Sequence, residues 1–159
     1  MVRHLLLCSI ALSLTLPAAD QYTGPRPPKP DIPYLLQADN LIQTEVADAT
    51  ESHPKKDQSV FTVNGASSST KTPLAEPIFL MQGKSLSPQN LELYRFNVAN
   101  GNRQVVIGRR NNDEGPIHLS VRDLGSGLYR IEVADSLDNG EYSLSPSGSN
   151  KAFCFAVVN

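Results

Sequence analysis

Apolar and polar residues alternate with a period of two along most of the second half of the chain, the pattern of strands with one buried face. In Leu128–Val133, Tyr129, Ile131 and Val133 alternate with Arg130 and Glu132; in Glu141–Pro146, Tyr142 and Leu144 alternate with Glu141, Ser143 and Ser145. Ala152–Val158 is different. Phe153, Phe155 and Val157 share one face, and Cys154, Ala156 and Val158 the other, so both are apolar. That predicts a central strand covered on both sides, or one whose second face meets a neighbouring segment. Upstream, Pro77–Met81 reads as a short apolar strand. Leu91–Val98 and Arg103–Arg109 flank Asn100-Gly101, a strong signal for a tight hairpin. Tyr94, Phe96 and Val98 share a phase in the first of these, while Leu91 and Leu93 fall on the other, which predicts a bulge or a start buried on both faces. Ile117, Leu119 and Val121 alternate with His118, Ser120 and Arg122, and Gly125-Ser126-Gly127 turns the chain into Leu128.

Seven strands are therefore expected from Pro77 onward. Residues Tyr34–Glu51 fit two templates: Leu35, Ala38, Ile42, Val46 and Ala49 match a helix, and Ile42, Thr44 and Val46 match a strand. The β-branched content, with a polar turn at Ser52–Asp57, favours a hairpin with Ser59–Val63. Gly65–Thr72 and Arg109–Gly115 are loops by composition. Asn139-Gly140 predicts a tight reversal with positive φ before Tyr142. The expected fold class is all-β: a single antiparallel β-sandwich of immunoglobulin-like, Greek-key type. Its domain is expected at residues 59–159, after an N-terminal extension at 34–58.

The first residues read as something other than fold. Arg3 and His4 precede an apolar run from Leu5 to Leu16, and Pro17-Ala18-Ala19 ends it. This is the layout of a secretory signal peptide over residues 1–19, too short for a spanning helix, with cleavage expected after Ala19. Residues 20–33 contain Gly-Pro-Arg-Pro-Pro-Lys-Pro-Asp-Ile-Pro at Gly24–Pro33, which predicts polyproline II geometry and a stiff linker. Cys8 lies inside the apolar run, so removing the signal leaves Cys154 alone and no intramolecular disulfide. The exported domain must then hold together by its core.

Asp138, Gly140 and Tyr142 form an Asp-x-Gly-x-Tyr pattern that resembles the tyrosine corner of immunoglobulin-like sandwiches. The resemblance implies that the Tyr142 hydroxyl returns to the backbone a few residues upstream. Leu144 stands where antibody domains carry their second Cys, and the chain has no Trp, so the likeness is to the sandwich and not to the antibody superfamily. Asp31–Leu35, Thr72–Phe79, Asn139–Tyr142 and Phe153–Phe155 together resemble a family of uncharacterised exported bacterial β-sandwich proteins. That resemblance spans most of the mature chain. It implies export and brings no activity with it.

Candidate chemistry is sparse. Fourteen Lys and Arg against sixteen Asp and Glu give a formal charge of −2, with no basic cluster to serve as a nucleic-acid footprint. His53, His118 and Cys154 are scattered singly, which is not a zinc-ligand pattern. Cys154 lies between two Phe residues and reads as a packed core thiol. No Gly-x-Ser-x-Gly or phosphate-cradling glycine loop is present. Asp135, Asp138, Asn139 and Glu141 crowd one turn and have the donor types for calcium, although turn formation explains the same residues.

Two functional readings follow. The first is a non-catalytic exported or periplasmic module that binds a protein or a cell-envelope component, with no cofactor and no membrane span once the signal is removed. Its recognition loops would be Gly65–Thr72, Arg109–Gly115 and Ser145–Asn150, with Arg109 and Arg110 as contact residues. The alternative is a small secreted hydrolase whose site is assembled from the dispersed carboxylates Glu45, Glu76 and Glu92.

Overall fold

The computed structural model describes residues 21–108 and 115–159. The strands begin with β1 (Tyr34–Gln37), β2 (Asn40–Gln43), β3 (Glu45–Asp48), β4 (Thr50–Lys55), β5 (Gln58–Asn64), β6 (Lys71–Thr72) and β7 (Ile78–Gln82). They continue with β8 (Leu91–Arg95), β9 (Asn97–Ala99), β10 (Asn102–Gly108), β11 (Leu119–Asp123), β12 (Leu128–Val133), β13 (Gly140–Pro146) and β14 (Lys151–Val157). The fold is all-β. Among the described residues a single 3₁₀ turn, Pro88–Asn90, is the only helical element.

Three sheets are formed. The front sheet has the order β11-β12-β7-β1-β2, the middle sheet β3-β14-β13-β8 with β6 added beside β14, and the third sheet β4-β5-β10-β9. The front and middle sheets pack as a β-sandwich. Leu35, Phe79, Met81, Ile131 and Val133 from one meet Leu93, Tyr142, Leu144, Phe153, Phe155 and Val157 from the other. Phe79 and Phe155 meet edge-on with centroids 5.0 Å apart, and Tyr142 stacks on Phe155 at 5.6 Å. Each such ring pair adds about 0.5–1.5 kcal/mol beyond the area it buries.

The two apolar faces of β14 have a direct explanation. Phe153, Phe155 and Val157 face the front sheet, while Ala152 and Cys154 join Val63, Phe96 and Val105 in a second core beneath the third sheet. The same holds for β8, whose Leu91 and Leu93 point one way and Tyr94 the other; the phase break there is a start buried on both faces. Immediately after it, at Phe96, the chain leaves the middle sheet as β8 and enters the third as β9. On the opposite edge β3 passes into β4 at Ala49, whose N–H donates to the Asn150 carbonyl at 2.7 Å. The third sheet is thus hung from both edges of the middle one.

Residues 34–58 do not stand apart from the sandwich, as the sequence led one to expect. β1 and β2 complete the front sheet, β3 edges the middle sheet, and only β4 pairs with β5 as the expected hairpin. Thr44 makes the crossing between β2 and β3; it is buried, and its hydroxyl donates to the Pro33 carbonyl at 2.8 Å. A strand of four residues is too short to show a decisive period, which is why helix and strand templates both fitted.

The Pro-rich segment is docked as well. Pro27 is buried, and the Asp31 N–H donates to the Gln82 carbonyl at 2.8 Å. Asp31 holds a positive φ of 60°, and its carboxylate accepts the backbone N–H groups of Lys84, Ser85 and Leu86 at 2.7–3.0 Å.

Asn100-Gly101 makes the expected hairpin between β9 and β10, with φ of 53° and 75°. Asn139-Gly140 does not make a tight reversal. Neither residue has a positive φ, and β12 and β13 lie in different sheets. Glycine at 140 serves close approach instead, because a Cβ there would sit 3.3 Å from the Arg95 guanidinium. The signal-peptide residues 1–19 and the arginines Arg109 and Arg110 lie outside the described residues.

Candidate functional site

Between the middle and third sheets lies a cleft of about 180 Å³. Strand alternation builds it. On β5 and β10 the inward phase carries Phe61, Val63, Val105 and Ile107, which form an apolar roof. On β8 and β13 the residues facing away from the main core are Glu92, Tyr94, Ser143 and Ser145, which form a polar floor. The turn between β13 and β14, with Gly148, Ser149 and Asn150, closes one side. It belongs to Ser145–Asn150, one of the expected recognition loops.

The floor is internally bonded. The Tyr94 hydroxyl donates to Glu92 Oε2 at 2.8 Å, and the Ser143 and Ser145 hydroxyls lie 2.6 Å apart. Burial, and then the Glu92 carboxylate, pushes the Tyr94 hydroxyl well above its ordinary range, so it remains a donor. Sequence alternation marked Ser143 and Ser145 as outward positions, and so they are with respect to the main core. Nothing in a single strand announces that a second sheet will cover them.

At the inner end of this interface Arg103 is sealed. It shares the inward phase of β10 with Val105 and Ile107, and its side chain is 1 % exposed. Its Nη2 donates to Glu45 Oε1 at 2.7 Å and to the Asn64 carbonyl at 2.9 Å, its Nη1 to Glu45 Oε2 at 3.2 Å, and its Nε to the Gly65 carbonyl at 3.0 Å. Burial alone would disfavour charge on both partners. The Arg103 hydrogen bond, helped by Ser69 and Ser68, outweighs it and holds the Glu45 carboxyl below the usual range, while Glu45 keeps the guanidinium protonated. This pair escaped the sequence reading, yet a signal existed: an arginine in phase with two aliphatic residues on one strand.

Cys154 lies beside this clamp and is fully buried. Burial, only partly opposed by Arg103, pushes its thiol up to about 12. A thiol so raised holds almost no thiolate at neutral pH.

The candidate carboxylates are not gathered. Glu45 is on β3 and Glu92 on β8, opposite edges of the middle sheet with β14 and β13 between them. Three strand spacings put them roughly 14 Å apart, beyond the about 5–9.5 Å that separates acid and base in glycoside hydrolysis. Glu76 precedes β7 and does not line the cleft. The turn considered for calcium is similarly dispersed among protein partners. Asp138 faces Arg95 at 3.6 Å, Asn139 brackets the backbone of Asn159, and Glu141 accepts the Ser68 N–H at 2.8 Å. Among the described residues no group of three or more His, Cys, Asp or Glu is placed to hold a metal ion.

Two further sequence features have structural places. The Tyr142 hydroxyl donates to the Asp138 carbonyl at 2.8 Å, four residues upstream. The loop Gly65–Thr72 is strapped across the middle sheet: Ser68, Thr70 and Thr72 are buried and the Ser69 N–H donates to Glu45, while Gly65, Ala66, Ser67, Ser69 and Lys71 are exposed. Comparison with protein-family models, curated proteins and solved structures finds no match for this chain. The cleft is therefore read from its own geometry.

Proposed function

We propose that this protein is a non-catalytic, exported β-sandwich module of the bacterial envelope that holds one aliphatic side chain of a protein partner in the cleft between its middle and third sheets. The observation that carries the reading is the cleft itself, an apolar roof over a polar floor. Its volume, about 180 Å³, lies below the about 300 Å³ at which pockets for drug-sized ligands begin, so it suits a residue-sized group. Export rests on the charged start and apolar run before Ala19.

The non-catalytic part rests on how the reactive groups are used. Glu45 is committed to Arg103, Glu92 accepts from Tyr94, and Cys154 is enclosed with its thiol protonated. None of these three is a base beside a nucleophile; the Ser59 hydroxyl, 3.1 Å from His53 Nδ1 with Glu51 3.6 Å from Nε2, does have that arrangement, but it is solvent-exposed on β4 and β5. The test is a ¹⁵N-NMR titration with N-acetyl-norleucine methylamide, an unbranched aliphatic side chain in a peptide frame. Saturable shifts at the amides of Tyr94, Val105, Ile107, Ser143 and Ser145 are expected. No saturable shift, or shifts confined to another face, would overturn the reading.

A further inference from the structure

Three charged side chains line the cleft: Glu51, Glu92 and Lys151. Two of them face a group of opposite charge or one that can acquire it. Lys151 Nζ sits 2.8 Å from Asp48, and Glu51 lies 3.6 Å from His53 Nε2. Glu92 is the exception. Its one hydrogen-bond partner is the neutral Tyr94 hydroxyl, and among the described residues no cation stands within ion-pair distance of it. The bond engages Oε2 and leaves Oε1 without a donor among those residues. A carboxylate with an unused oxygen, beside an apolar trough of one residue's volume, is complementary to an aliphatic stem that ends in a cation.

We propose that the cleft is a lysine-side-chain site. The methylene stem of a partner's lysine lies under Phe61, Val105 and Ile107, and its ammonium meets Glu92 Oε1. This inference rests on the reading above and adds the ammonium to it. Lysine meets the requirement because its four-carbon stem packs against apolar surface while the head seeks a polar partner. A protein source follows from the reading above, in which the cleft holds one side chain of a protein partner; Glu51, the second acid of the lining, has only His53 beside it at 3.6 Å, so a free diamine is kept as an outcome of the test.

The experiment compares N-acetyl-lysine methylamide with its norleucine analogue by the same titration, on the wild-type chain and on Glu92→Gln. Glutamine keeps an acceptor for Tyr94 and removes the charge, so a matching urea midpoint certifies the fold. Lysine should bind at least tenfold more tightly than norleucine, and Glu92→Gln should abolish that advantage while leaving norleucine binding unchanged. Equal binding of lysine and norleucine would overturn the ammonium inference and leave the aliphatic reading standing. Binding of neither would overturn both. A lysine advantage that survives in Glu92→Gln would remove Glu92 from the role. Free 1,5-diaminopentane binding as tightly as the peptide-framed lysine would overturn the protein source.

Discussion

Tyr142 shows how much one polar atom can decide in a packed core. Its ring stacks on Phe155, and its hydroxyl reaches the Asp138 carbonyl, tying the β12–β13 crossing to the core. Tyr142→Phe keeps the ring and removes the bond, so urea unfolding should show a loss of about 0.5–1.5 kcal/mol; an unchanged midpoint would mean the hydroxyl only fills space. Asp31 acts through charge. Burial tends to raise its pKa, but the backbone N–H groups of Leu86, Lys84 and Ser85 outweigh this and lower it. A lowered carboxylate stabilises the fold above its unfolded pKa of about 3.9 and loses that contribution as pH falls through the folded value. Asp31→Asn, which tolerates the same positive φ, should therefore be less stable than wild type at pH 6, with the gap closing below about pH 4. A gap independent of pH would assign the effect to shape. The Asp-x-Gly-x-Tyr pattern pointed to Tyr142 because a local motif encodes it. Asp31 was invisible because its three donors lie some fifty residues away.

At the level of elements, the third sheet depends on the Arg103–Glu45 clamp, which joins β10 to β3 and to the loop after β5. Removing one partner of a buried pair leaves the other charge uncompensated. Glu45→Gln should cost about 3 kcal/mol, the low end for such pairs because the Glu45 side chain keeps 22 % exposure. Replacing both residues, Glu45→Leu with Arg103→Met, should cost less than the sum of the two single changes, as a double-mutant cycle of urea midpoints would reveal. Additive costs would mean the two side chains act separately. Strands with five or more alternating residues were legible from sequence, as β10, β12 and β13 show. The apolar second face of β14 also announced a covering layer. The identity of that layer was not legible, because β3 into β4 and β8 into β9 change sheets at Ala49 and Phe96, and no turn residue marks either place.

Across the whole molecule, the front and middle sheets pack as the sandwich, and the third sheet lies over the middle one to form the cleft. The division was hidden in sequence for a physical reason. Ser143 and Ser145 read as the polar, outward phase of their own strand, and nothing in the sequence pairs them with Phe61, Val105 and Ile107 of β5 and β10. Only the folding of one sheet over the other sets the two groups face to face. Blocking that space tests the claim most directly. Ile107 is 38 % exposed at the cleft, so Ile107→Trp can fill it from the roof without overpacking the main core. The account predicts a variant whose urea midpoint stays within about 0.5 kcal/mol of wild type and whose titration with N-acetyl-norleucine methylamide shows no saturable shift. A folded Ile107→Trp protein that binds the probe as wild type does would contradict it.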